Sequence, residues 1–475
     1  MGTTERLARF AIETPPGFLT PTLSQSVREK FLDTIGIMVA GAHTNSTAIV
    51  MKTVLEAGGA PEVSIIGAPH RVNLASAGFV NGFSAHALEY DDNTPDIGHV
   101  SACMVPGCLA IAEKHKLSGR ELMEAFALGY EVAGRISLGL KPAMFDRGWH
   151  SPGMIGGLGV AVAGCRLMGM DAMSTRMAIG LMASSGTGVR KNVGSAGKAF
   201  HIGNGVRAGL TAVSLAKNGL QVDPDIIEGA ENGLGHQRFG LAETFSGAGG
   251  YSLDRMESGL GREFVLTRIP TMVRLHPGST VTGAAIDGII DLTTRNDIDP
   301  NDIAKMHVEC HPRMLVIASY TEPSDGYRAK FCPKYTFSVA LIDRKVGLAQ
   351  YTEERIRDPQ VLSLMQRVSV TARDDIREVR GAWGSGEDSW GAVKVSIRLN
   401  SGRILDGNYT HAKGWPGNPA SWEDLCSKYQ DCVQGYLTSS QIQKSIAMLE
   451  KLEDLSSVSD LLDQLRSTEG PRSRT

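Results

Sequence analysis

The chain has 475 residues, more than one hydrophobic core usually supports, and this sets two domains as the starting expectation. Its 48 Lys and Arg against 51 Asp and Glu leave a net charge of -3 with no basic stripe, which argues against nucleic acid or an anionic membrane surface as partner. A hydrophobic share of 42% with 55 glycines describes a globular chain whose elements pack closely.

The start, MGTTERLARFAIETPP, carries acidic residues and no signal-peptide core, and no apolar run reaches transmembrane length, so a cytoplasmic protein is expected. From Ser24 to about Leu260 small and apolar residues recur at helical spacing, in SVREKFLDTIGIMVAGA, FVNGFSAHALEY, ACMVPGCLAIAEKHK, SGRELMEAFALGYEVAGRISLGL, GMIGGLGVAVAGCRLMGM and AMSTRMAIGLMASSG. Ser118 with Glu121 three residues later reads as a capping box. The run GNGVRAGLTAVSLAKNGLQVD, Gly203 to Asp223, fits a dinucleotide-binding fingerprint in its glycines and its distant acid. The buried strand such a turn needs is missing from GSAGKAFHI, so these glycines are read as helix-packing residues.

Beyond about residue 262 the texture changes. REFVLTRIPTMVRLHP, IAKMHVECHP and MQRVSVTARDD alternate apolar residues as strands do, and AVKVSIRLNSGRILDGNYT reads as a hairpin turned at Ser401-Gly402. GAAIDGIIDLTTRN and YTFSVALIDRKVG read as helices among them. The expectation is a mainly α protein in which a discontinuous all-α domain, 1–265 plus 406–475, carries an inserted α+β lid domain at 266–405. SWEDLCSKYQDCV and SSQIQKSIAMLEKLEDLSSVSDLLDQLRS return to amphipathic helix, and PRSRT closes the chain as a frayed tail. Seven cysteines, at 103, 108, 165, 310, 332, 426 and 432, form no C-x-x-C pair. Buried free thiols are expected, with no zinc or iron–sulfur ligation.

The chemistry concentrates in HALEYDDNTPDIGHVSA, His86 to Ala102, where Glu89, Asp91, Asp92 and Asp96 crowd between His86 and His99 with no Lys or Arg among them. Each such carboxylate makes ionising the others harder unless solvent or a cation intervenes. His150, in DRGWHSPGMIGG, and Lys198 with His201, in GKAFHIGN, interrupt glycine-rich stretches that read as turns. Each of these has a bland reading alone, the histidine as a hydrogen-bonded cap and the lysine as solvated. Together they suit an anionic substrate that loses a weakly acidic proton beside a carboxylate, with acids that orient the histidines and cations placed where charge develops.

REKFLDTIGIMVAGA, ALEYDDN with HVSA, LSGRELMEAFALGYEVAGRI, GWHSPG, MGMDAMSTRMAIGLMASSGTG, AKFCPKY and NPASWEDL resemble, in order, the landmarks of the MmgE/PrpD family, whose members include 2-methylcitrate dehydratase, cis-aconitate decarboxylase and iminodisuccinate epimerase. The resemblance implies a large helical domain, a smaller α+β lid, a homodimer, an active site in the cleft between domains, and no metal or organic cofactor. Carried over by motif, it marks His99, His150 and Lys198 as catalytic; Glu89, Asn93, His201, Arg274, His276 and Ser279 are the candidate substrate-binding residues. Glu89 stands where Asp is usual, Asn93 where Thr is, Arg274 where Lys is common, His276 where an aromatic is, and Ser279 and Gly283 where cysteine or histidine often occurs. Arg for Lys at a carboxylate clamp changes reach and geometry. The function so implied is a cofactor-independent lyase or isomerase on a small di- or tricarboxylate, a 2-methylcitrate dehydratase-like hydro-lyase before a cis-aconitate decarboxylase-like or iminodisuccinate epimerase-like enzyme. A catalytically weakened dimeric binding protein is the alternative of another class.

Overall fold

The computed structural model describes residues 1–185, 188–231, 237–376 and 391–467; the expected tail PRSRT lies outside them. The described residues divide into two units, one of Met1–Ile269 with 428–467, the other of Pro270–Ser427. Helices dominate, as the periodicity predicts.

The first unit is built on α1 (Thr3–Glu13), α2 (Pro21–Gly41), α3 (Asn45–Ala57), α4 (Leu74–His86), α5 (Ser101–His115), α6 (Gly119–Leu140), a short α7 (Ala143–Asp146), α8 (Pro152–Leu167), α9 (Ala172–Ser184) and α10 (Ala196–Lys217). Their starts are written in the sequence. Thr20 caps α2 ahead of Pro21, Asn73 caps α4, and Ser118 and Glu121 form the expected reciprocal box at α6. α5, α6 and α8 bury nearly every side chain, so they form the centre of the unit rather than its surface.

The dinucleotide-like run starts within α10 and runs past its end at Lys217, and among the described residues no strand leads into that helix. Its glycines serve close packing: a Cβ on Gly205 would stand 2.1 Å from the carbonyl oxygen of Gly153 on α8, and no flexible atom is there to give way. Among the described residues no helix is long and apolar enough to cross a membrane.

The second unit holds a four-stranded sheet of β1 (Ile303–Cys310), β2 (Val368–Ala372), β3 (Val393–Leu399) and β4 (Ile404–Tyr409), in the order β2-β1-β3-β4. β1 and β2 are parallel, and the other pairs are antiparallel. β3 and β4 form the expected hairpin, with Gly402 at φ +87 in its turn. Helices Gly283–Arg295 and Pro333–Asp343 supply the remaining apolar face, and Val308, Ile397, Ile289 and Phe337 meet in one core. One expected strand is absent. In REFVLTRIPTMVRLHP the chain forms a short helix at Val265–Arg268, because the Val265 N–H is taken by the buried Glu131 carboxylate instead of a neighbouring strand.

All seven cysteines are free thiols, six of them buried, and burial pushes Cys165 and Cys432 up to about 12 and Cys310 up to about 11.

Candidate active site

The acidic segment begins where α4 ends. His86 is its last residue, and the chain then turns through left-handed backbone at Glu89 (φ +52) and Asp96 (φ +60). Side chains longer than glycine adopt that conformation at a cost of roughly 1–3 kcal/mol, and where it occurs at a functional site it is held by its surroundings. Here reciprocal backbone hydrogen bonds between Thr94 and Gly98 close the turn.

That geometry folds the carboxylates inward. Asp91 is fully buried, with one oxygen 2.8 Å from His86 Nδ1 and 3.1 Å from His99 Nδ1. Burial alone raises an acid, yet His86 and His99 hold Asp91 well below the usual carboxylate range. The Asp92 carbonyl also accepts from His99 Nδ1 at 2.7 Å, so that nitrogen is a donor. His86, Asp91 and His99 are the one group among the described residues whose donor atoms have metal-capable spacing, all within 4.8 Å. The donor set as it stands is two imidazoles whose Nδ1 atoms both face one carboxylate oxygen.

Lys198 answers the opening puzzle of so many acids without a local cation. Its Nζ lies 2.6 Å from Glu89 Oε2, a buried ion pair between residues more than a hundred apart in sequence. It stands in the first turn of α10, and His201 one turn on, so the reading of GKAFHIGN as a turn is corrected: Ser195 accepts from the Gly197 N–H and starts a helix directly after the glycines. His150 precedes α8, where its N–H donates to the Gly188 carbonyl at 2.7 Å. Gly188 itself sits at φ +144, with the His150 carbonyl 2.5 Å from where a Cβ would be, so only glycine fits.

Packing of α8 on α10 joins these two segments: His150 Nδ1 lies 3.1 Å from His201 Nδ1, one ring donating to the other. The ring of His86 is 4.8 Å from that of His99 and 6.3 Å from that of His150. Burial, then Lys198 and the neighbouring histidines, press His150 far below the ordinary imidazole range; His201 is lowered by burial and by His86. Asn93 is half-buried between Asp92 and Thr94. Neither His86 nor Asp91 is among the individual candidate site residues, although the sequence reading expects acids of this segment to orient its histidines; the signal that would have singled them out is their i, i+5 spacing at a helix end.

In the second unit, Arg274 is buried and donates to the Gly278 carbonyl at 2.9 Å. Ser279 Oγ is buried and has no hydrogen-bond partner among the described residues, while the Ser279 N–H donates to the carbonyl of buried Lys330. His276 has both nitrogens engaged, Nδ1 with the Val346 carbonyl and Nε2 with Asp287 at 2.8 Å.

The sequence profile of the MmgE/PrpD N-terminal domain matches residues 5–244, and that of the MmgE/PrpD C-terminal domain matches residues 276–454. The chain belongs to the MmgE/PrpD family. It is 25% identical to cis-aconitate decarboxylase of Homo sapiens over 465 residues, 96% of this chain and 92% of that one. Similarity to cis-aconitate decarboxylase of Mus musculus is 25% over 460 residues, covering 94% and 90%. Against that of Aspergillus terreus it is 21% over 423 residues, covering 84% and 83%. Family membership thus spans both units.

Proposed function

We propose that this protein is a lyase that moves a proton next to a carboxylate of a small di- or tricarboxylate, with His150 as base, His99 as acid and Lys198 as the cation facing developing charge. The observation that carries this reading is the contrast between two imidazoles in one cluster. His150 is held neutral by burial and by Lys198, whereas His99 turns its Nδ1 hydrogen to an ionised carboxylate. An imidazole held neutral beside one oriented by an ionised carboxylate allows the two to divide base and acid roles between them. A strongly depressed base is weak, but an arriving carboxylate offsets the Lys198 charge and strengthens it.

A neutral imidazole poised to accept a proton fits elimination or epimerisation, and we place hydro-lyase chemistry first. Decarboxylation is the second reading, favoured by the relatives named cis-aconitate decarboxylase. Citrate, 2-methylcitrate, cis-aconitate and iminodisuccinate are to be incubated with purified protein, with products followed by mass spectrometry and chiral analysis and carbon dioxide release measured with cis-aconitate. Loss or gain of water without carbon dioxide is the expected outcome. Itaconate with stoichiometric carbon dioxide would move the assignment to decarboxylation, and no turnover of any of the four would leave the binding-protein alternative. Dialysis against a chelator is expected to leave the rate unchanged; a rate that falls and returns with one metal ion would overturn the cofactor-independent part.

A further inference from the structure

Beneath the acidic segment lie four buried charges that the proposed chemistry does not use. Lys30, Asp33, Asp92 and Lys428 are each 5% exposed or less. Lys30 Nζ is 2.5 Å from Asp92 Oδ2, which also accepts from Ser101 Oγ at 2.8 Å; Lys428 Nζ is 2.5 Å from Asp33 Oδ1. Lys30 and Asp33 are neighbours on one face of α2, whereas Lys428 belongs to the helix Trp422–Val433. Taking four ions out of water is costly, and apolar side chains of similar size often stabilise a fold as well or better. The placement of these charges therefore needs a reason other than stability.

Their second contacts supply it. Lys428 Nζ also donates to the Tyr90 carbonyl at 2.8 Å and lies 4.1 Å from the centre of the Tyr90 ring. Lys30 lies 5.7 Å from the Tyr130 ring, and the Tyr130 hydroxyl is 2.7 Å from Thr94 Oγ1. Lys428 thus grips the residue before Asp91, and Lys30 the carboxylate of the residue after it. Between these two grips sits the carboxylate that orients His86 and His99, and the Asp92 carbonyl, also a partner of His99, belongs to the same stretch.

We infer that Lys428 and Lys30 are positioning residues, which hold the Tyr90 carbonyl and the Asp92 carboxylate on either side of Asp91 so that the Asp91 carboxylate and the Asp92 carbonyl fix the Nδ1 hydrogen of His99. This rests on His99 being a working group of the site, but the primary test does not need turnover. An Nδ1–H shared between a carboxylate and a carbonyl, as in half-buried His99, is slowed in exchange and gives a downfield imidazole resonance, which can be observed in full-length protein labelled with ¹⁵N-histidine and assigned with His99→Gln.

In Lys428→Met that resonance is expected to shift or vanish while the protein stays folded and the resonances of His307, on the sheet of the other unit, stay in place. Lys428→Arg, which keeps a donor, is expected to retain it. Because Lys428→Met leaves Asp33 as an uncompensated buried charge, the double variant Lys428→Met with Asp33→Asn is read alongside; it removes the grip on Tyr90 without stranding an ion. An unchanged His99 resonance in either folded variant overturns the proposal, and so does failure of both to fold, which would make the network a requirement of the fold itself. Where a substrate is found, the Met variant should lose at least tenfold in kcat with KM changed less than threefold, and the Arg variant should recover most of it. Absence of turnover with a moved resonance would reject the functional reading and keep the clamp.

Discussion

Lys198 illustrates how a single residue can have two separable roles. If it only balanced Glu89, replacing both by neutral side chains would be harmless; if it also faces substrate, activity goes with it. Lys198→Ala is expected to lower turnover by about a hundredfold or more, the scale of losing an oxyanion partner. It should also lower stability by about 3–5 kcal/mol, because the Glu89 carboxylate is left buried without its cation. The double variant Lys198→Met with Glu89→Gln should recover most of the melting temperature and none of the turnover, so a double variant with near-normal turnover would reduce Lys198 to a structural counter-ion. His150 makes a prediction in pH. Its folded-state affinity for a proton lies below that of a free imidazole near 6.5, so the unfolded chain binds more protons on the acid side. Its contribution is complete above that pH and is lost as pH falls below it, with a slope of up to about 1.4 kcal/mol per unit. His150→Gln should flatten the decline in stability between pH 7 and pH 5 in denaturant titrations. An unaltered slope would mean that the ring is protonated in the native protein.

At the scale of elements, the crossing of α8 and α10 brings His150 and His201 together, and its tolerance is small. Gly205→Ala drives a methyl group against the Gly153 carbonyl and should cost about 3 kcal/mol, the upper range for overpacking, with both turnover and melting temperature falling. A near-neutral result would show that the helices can separate freely there. The sequence made this scale legible where the cause is local. The Ser118–Glu121 box, the Ser401-Gly402 hairpin and the helical periodicity all depend on residues a few positions apart. It misled where the cause is distant: Val265 looks like a strand residue until Glu131, 134 positions away, takes its N–H. The site followed the same rule. The crowding of acids with His86 and His99 announced itself, but Lys30 and Lys428 lie in stretches that the sequence marks only as helix, and only the fold reveals that they are buried against Asp92 and Tyr90.

At the scale of the molecule, membership of the MmgE/PrpD family extends over both units, and the residues that the sequence reading expects to be atypical fall in each: Glu89 and Asn93 in the first, Arg274, His276, Ser279 and Gly283 in the second. Substrate choice is expected to respond to both groups, with Glu89→Asp and Arg274→Lys changing the preference among carboxylates measured in the same panel more than they change stability. The buried thiols have a consequence of a different kind. Cys103, Cys108, Cys165 and Cys432 lie in the first unit and Cys310 and Cys332 in the second, and a thiol reacts only as its exposed thiolate. Each is therefore a clock that starts when its own surroundings open. Alkylation in native buffer, followed peptide by peptide in a mass spectrometer, should leave all six unmodified long after the half-buried Cys426 has reacted. Under rising denaturant the order in which the two sets are captured would time the breathing of each unit separately, with no mutation or substrate required.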